Sequence, residues 1–541
     1  MKKTITNLLL ISSFLVVQAQ TPVLIKDINP SGSGVFKYTT VVVYNEKIYF
    51  VGTNGSSGNE VWSSDGTASG TKLVKDINPG SADGNPVGFI VYNQMLYFSI
   101  EDGTKGHELW VTDGTSTNTQ MVKNIYPGSS GSAPYGFTVF NGQLFFAAND
   151  GIYGQELWST DGTTLGTQLV KDIRPGGTGS IPTSFKVFNN ALYFYADDGT
   201  HGSELWVSDG TSAGTQMVKD IFVGIYSSYP SLFTELNGKL YFQATDLTYG
   251  SELWVTDGTT LGTTLVKDIN PGQNYADPEG FTVYDGKLYF SAFTASAGYE
   301  LWVSDGTSAG TQMVKDIFSG TADGIVSPPW FMVYNNRLYF GATDGTHGNE
   351  LWFTDGTTLG TTMVNDYNPG SGGSYRGSFA VWNNALYYIG YDGVNGNQLF
   401  SYNSITNSQS LIVPPIFQSN VFSEGFSSLN LALGSLIFPA AYQSGNTELY
   451  KLTSTNLAVG QLSTAINFSI YPNPVSNTIH IELTKTSGPF LVQLYNLQGT
   501  LMFETSGNSK MDIETANFPP GMYVVKVSDK NYSVYSRVVK E

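Results

Sequence analysis

One phrase, Glu-Leu-Trp-Val-Thr-Asp-Gly-Thr at Glu108–Thr115, returns along most of the chain and limits its fold more than any other feature. Its tryptophans are Trp62, Trp110, Trp158, Trp206, Trp254, Trp302 and Trp352, spaced by 48 residues five times and then by 50. A fixed period of this length marks a repeat architecture, in which each unit buries its apolar face only against its neighbours. Tryptophans that recur at one phase of the repeat read as packing anchors, one per unit, rather than as ligand contacts.

The segment Leu265–Thr311 shows what a unit contains. Runs rich in Val, Tyr, Phe and Trp, at Thr264–Ile269, Gly280–Tyr284, Lys287–Ala292 and Glu300–Ser304, are separated by Gly, Pro, Asp and Asn, and helical periodicity is absent. Asp285-Gly286, echoed by Asn141-Gly142, Asn237-Gly238 and the Asn pairs starting at 189, 335 and 383, supplies residues that tolerate positive φ in a two-residue hairpin. Neighbouring strands therefore pair antiparallel. The Asp of the phrase is placed to accept turn amides.

Four antiparallel strands per repeat, without helices, predict an all-β fold, a β-propeller. A β-solenoid is the runner-up, but its coils pair in parallel. The third strand continues in weaker form at Gln398-Leu399-Phe400 and Glu448-Leu449-Tyr450, giving about nine blades, with eight and a degenerate end as the alternative. Val23–Ile28 (VLIKDI) matches a fourth strand that lacks its first three, while Leu429–Leu452 supplies three with only a weak fourth. The two ends should complete one blade.

Residues 1–19 carry Lys2 and Lys3, an apolar run Leu8–Val17, and a small-residue cleavage site between Ala19 and Gln20, the pattern of a signal peptide. The propeller is expected over 20–456, a small polar linker over 457–467, and a separate small β-sandwich of about seven strands over 468–541. No later segment is long and apolar enough for a transmembrane helix. The absence of cysteine excludes disulfides, zinc–thiolate sites and thiol nucleophiles. A net charge of −18 argues against nucleic acid and anionic membranes as partners.

The phrase as it stands at Glu156–Thr167, Glu204–Thr215, Glu252–Thr263, Glu300–Thr311 and Glu350–Thr361 resembles the ELWxxDGT-repeat proteins of Bacteroidetes. The copy starting at Glu108 has Asn118 where the others have Gly. That resemblance implies a secreted repeat array and names no ligand. The C-terminal segment is similar to the type A sorting domain of proteins exported by the type IX secretion system, through Tyr471-Pro472-Asn473-Pro474-Val475, Tyr495–Gly499, Pro520–Val524 and Lys540. This implies the type IX translocon and a sorting peptidase as partners, and an extracellular or cell-surface location.

Catalytic chemistry is not visible. His107, His201, His347 and His480 share no constellation, and no metal triad can be assembled. The Glu that recurs from Glu60 to Glu350 points to a structural hydrogen bond or a salt link with the Lys of the VKD segment, since catalysis needs an asymmetric pair. No cofactor is expected; calcium is the one ion that loops such as Asp76–Asp83 and Asp268–Asp277 could take, although their spacing is not that of a calcium loop. The connections leading into each first strand vary most and are where binding should reside. They carry Tyr135, Tyr229, Tyr275, Trp330 and Tyr375 as candidate contacts for a glycan or a protein, in a binding or adhesion protein rather than an enzyme. A structural part of a surface layer or gliding apparatus, and a polysaccharide-active enzyme, are the alternatives.

Overall fold

The computed structural model describes residues 22–36, 39, 41–391, 393, 396–412, 429–442, 446–453, 468–471, 475, 477–483, 490–496, 501–507, 510–528 and 533–540. The expected signal peptide, its cleavage site at Ala19 and Gln20, and the 457–467 linker lie outside the described residues. The chain divides into two compact units, Met1–Ser454 and Thr455–Glu541.

In the first unit the described residues form nine four-stranded antiparallel sheets, consistent with β-propeller-like blades. In chain order we call them sheets 1 to 9, spanning 42–75, 87–123, 135–171, 183–219, 231–267, 279–315, 331–363, 375–411 and 430–453. Sheet 6 shows the plan: Glu279–Tyr284, Lys287–Thr294, Gly298–Ser304 and Gln312–Lys315, each paired with the next. The first hairpin turns on Asp285 and Gly286, both at positive φ (47° and 69°), as the Asp-Gly pair requires. Sheet 9 takes its fourth strand from the other end of the chain, where Val23–Lys26 pairs with Asn446–Thr453.

Packing follows the same order. Each hydrophobic cluster joins one sheet to the next: Phe140, Phe145 and Leu157 of sheet 3 meet Leu192, Phe194 and Trp206 of sheet 4. Nine such clusters run through the unit, and one of them sets Ala432, Ile437 and Leu449 of sheet 9 against Ile48, Phe50 and Trp62 of sheet 1. The sheets therefore pack in a closed cycle. All seven repeat tryptophans are buried in these clusters or at their edges.

Two polar contacts recur, one across seams between sheets and one within turns, and the first corrects the sequence reading. The Lys of the VKD segment does not pair with the repeated Glu. Lys171 Nζ instead donates to the Thr215 carbonyl of the next sheet at 2.6 Å and lies over the Trp206 ring, 5.8 Å from its centroid. The same contact recurs from Lys75, Lys123, Lys219, Lys267 and Lys315. A flexible stem with a strongly hydrated head suits this reach across a seam. The Asp of the phrase behaves as expected: Asp209 Oδ1 accepts from Thr211 N at 2.8 Å and from Thr211 Oγ1 at 2.7 Å.

The described residues of the second unit form seven strands, a three-stranded sheet (Phe468–Tyr471, Thr478–Leu483, Lys510–Glu514) and a four-stranded one (Phe490–Asn496, Leu501–Gly507, Gly521–Ser528, Ser533–Lys540). Ile479, Ile481 and Ile513 of the first sheet share one cluster with Val492, Leu494 and Val525 of the second.

Candidate binding site

The repeated Glu lies at the base of the loop that leads to the next sheet. In sheet 4 the Glu204 carboxylate accepts from Ile221 N (2.8 Å), Phe222 N (3.3 Å) and Ser228 N (3.1 Å), and from Ser228 Oγ at 2.6 Å. Glu108 and Glu156 hold their loops by the same kind of contact to Ile125, Tyr126 and Ser132, and to Ile173, Arg174 and Ser180. Glu204 is fully buried, and burial pushes its carboxyl up to about 7 against the donors that favour its charged form. The same balance raises Glu60, Glu300, Glu350 and Glu448 to about 7, and Glu252 to about 8. A buried glutamate at this place in every sheet but sheet 8, where Gln398 stands, thus fixes where its loop begins and leaves the tip able to vary.

The five aromatic candidates separate on this scaffold. Tyr135 is half-buried, and burial lifts its hydroxyl to about 12. Tyr229, 59% exposed, meets Tyr195 edge-on with ring centroids 6.2 Å apart, and Tyr195 also neighbours Tyr135. Tyr275 is 56% exposed in the next loop. Trp330 lines a cleft of about 480 Å³ between the first strands of sheets 4 to 7, with Pro329, Phe281, Thr282, Phe233 and Lys186. Tyr375 is a correction. It is 4% exposed, between Phe379 at 5.3 Å and Tyr388 at 6.1 Å, because sheet 8 lacks the Trp and fills its space with aromatic rings. Its burial also drives the hydroxyl well above the ordinary tyrosine range.

The first strands of sheets 3 to 6, the last three of which line the cleft, each contain a bulge. Gly136 and Gly280 sit at positive φ there (72° and 73°), and a Cβ at Gly280 would come within 2.9 Å of Pro329 and Phe331. Ser184 and Leu232 take the same conformation in sheets 4 and 5 (58° and 60°), which turns Leu232 outward into the cleft.

Sequence reasoning passed over the aliphatic side chains of the loops. Sheets 2, 4 and 7 place Thr104-Lys105, Thr200-His201 and Thr346-His347 in the connection between second and third strands; sheet 3 has Ile152-Tyr153 in that place. The connections leaving sheets 1, 2, 3 and 5 read NPGSA, YPGSS, RPGGT and NPGQN from Asn78, Tyr126, Arg174 and Asn270, whereas sheet 4 has FVGIY from Phe222. There Val223 and Ile225 are 78% and 76% exposed. Ile152, Ile181, Tyr226 and Leu247 are exposed on the same set of loops. Outside sheets 3 to 5, Phe36, Val326 and Trp330 are the exposed large apolar side chains of these loops among the described residues. The signal was the departure from the repeat.

His201 and His347 each face an aspartate of their own loop, Asp198 and Asp344, at 2.7 Å. Among the described residues no three His, Asp or Glu side chains gather to hold a metal ion. Asp76 and Asp268, considered for calcium, accept from the backbone N–H of Gly80 and Gly272.

Residues 469–541 match the family described as the secretion system C-terminal sorting domain, which indicates export by the type IX system to the cell surface or the extracellular space, and contact with that machinery. No curated protein sequence matches the chain. Among solved structures it is similar to a prolyl endopeptidase at 12% identity, with 69% of this chain and 55% of that one covered and a TM-score of 0.36. It is also similar to puromycin hydrolase (12%, 78% and 61%, 0.35) and to Sqt1 of Saccharomyces cerevisiae (10%, 66% and 93%, 0.34). The chain spans little more than half the length of the first of these, and likeness at this level says nothing of activity. No helix among the described residues is long and apolar enough to cross a membrane.

Proposed function

We propose that this is a secreted or cell-surface binding protein, a nine-bladed propeller of the ELWxxDGT-repeat kind that recognises a glycan or a protein through the loops leading into its first strands. The observation that carries the reading is the break in the repeat: apolar side chains stand exposed on the loops of sheets 3 to 5 where sister loops are polar. Exposed apolar groups gathered on one set of loops are unfavourable in water and mark contact surfaces. Tyr229 and Tyr275 supply rings with polar ends to the same surface, and Trp330 does so in the neighbouring cleft. Binding, without catalysis, is the activity.

The test is binding of the full chain to a glycan array and to immobilised whole cells. Tyr229→Ala, Tyr275→Ala and Trp330→Ala together should abolish it while the urea midpoint shifts little. Binding that survives all three substitutions, or a wild-type chain that binds neither surface, would contradict the reading.

A further inference from the structure

The loops of sheets 3 to 5 say more about the ligand than that one exists. Beside the tyrosines Tyr153, Tyr226, Tyr229, Tyr249 and Tyr275, they expose an equal number of aliphatic side chains, Ile152, Ile181, Val223, Ile225 and Leu247. Such side chains offer neither a flat face for a sugar ring nor a donor or acceptor for its hydroxyls, whereas they fill the desolvated centre of a protein contact well. Tyr226 stacks on Phe222 with centroids 5.2 Å apart and interplanar angle 30°, which stiffens one flank of the loop. Tyrosines suit either ligand, so it is the aliphatic half of the surface that makes a glycan the poorer fit.

Charge narrows the choice again. The same loops carry the carboxylates of Asp150, Asp220, Asp246, Asp268 and Asp277, and their cations are already matched, Arg174 with Asp197 and His201 with Asp198. An acidic border repels anionic lipid and attracts basic side chains.

We propose that the loop face of sheets 3 to 5 docks a protein partner that presents an apolar centre with a lysine- or arginine-rich rim. This rests on the binding function proposed above and specifies its ligand class. The loops knit into one surface along each sheet: Gln273 Nε2 donates to the Leu247 carbonyl at 2.9 Å, and Ser203 N to Ser227 Oγ at 2.9 Å. A partner seated there would cover the positions where the chain leaves its own repeat.

The probe is a panel of immobilised amphipathic peptides with Leu and Phe at the apolar positions and Lys, Ser or Glu at the polar ones, applied to the full chain. The Lys series should bind at least about tenfold more tightly than the Glu series, and less tightly as salt is raised. Giving sheet 4 the loop of sheet 5, by Val223→Pro, Ile225→Gln and Tyr226→Asn, should remove that preference. Because this graft changes a backbone segment, Ile152→Thr with Tyr153→His serves as the second variant and should weaken binding on its own. Equal binding of the three series, or a preference that both variants retain, overturns the proposal. If the chain binds the glycan array and no peptide, the partner class is wrong while the binding function stands; if it binds neither, both fall.

Discussion

Sheets 3 and 4 differ at their two ends in opposite senses. At the phrase end, Asp161-Gly162-Thr163 and Asp209-Gly210-Thr211 make the same turn, with the aspartate accepting from the threonine amide at 2.8 Å in both. At the other end RPGGT has become FVGIY, and the loop rises from Glu204 as its counterpart rises from Glu156. The buried carboxylate teaches how this is tolerated. It anchors the loop through backbone amides, which every residue type supplies, so the tip is released from any duty in folding. One end carries the repeated contacts of the fold, and the other is free to vary, as the proposed recognition role requires.

The largest break in that division should come from the seam of the cycle. Removing residues 22–29 takes away the strand that pairs with Asn446–Thr453, together with Ile25 and Ile28 of the sheet 9–sheet 1 cluster, and exposes an unpaired edge. The expected outcome in size-exclusion chromatography is aggregation; a monomer with an unchanged melting temperature would show that the sheets hold together without closure.

Next in size is Trp206→Ala, which empties a buried site between sheets 3 and 4 and removes the surface under Lys171. The expected loss is about 3–5 kcal/mol by urea unfolding, as for other large-to-small core changes. An unchanged midpoint would mean that the phrase end is not where stability resides.

A smaller effect follows from the buried glutamates. The folded pKa of Glu60, Glu204 and Glu300, about 7, and that of Glu252, about 8, lie above the ordinary carboxylate value, so the folded chain holds more protons between those limits than the unfolded one. Their contribution is greatest below about pH 4.5 and is lost as pH rises through 7 to 8. The urea midpoint should therefore climb between pH 8 and pH 5.5. Glu204→Gln should flatten part of that climb, and a slope identical to wild type would remove Glu204 from the account.

Much of this was readable before the structure, for identifiable reasons. The period, the Asn-Gly and Asp-Gly hairpins and the unmatched VLIKDI segment are local or counting signals, and the pairing of Val23–Lys26 with sheet 9 follows from them. The partner of the repeated Glu was not readable. The sequence left a structural hydrogen bond or a salt link with the nearby lysine open; the carboxylate makes the hydrogen bonds, to backbone amides of the following loop, and the lysine crosses to the next sheet. Tyr375 was misplaced because a tyrosine before a first strand looks like Tyr135 until the missing tryptophan of sheet 8 is seen to leave room for it. Val223 and Ile225 escaped notice for the opposite reason: an aliphatic residue in a β-rich sequence reads as core, and only its position on a loop shows it to be outside.

The smallest stability effect belongs to the loop face, and it carries the central claim. Val223→Pro, Ile225→Gln and Tyr226→Asn restore residues that sister loops already use, so together they should change the unfolding free energy by no more than about 0.5 kcal/mol, as surface changes do. The decisive measurement is urea unfolding and binding to the Lys-bearing peptides on this one variant. The account predicts an unchanged midpoint with binding lost. A lowered midpoint with binding retained would contradict it, because those side chains would then be serving the fold and not the partner.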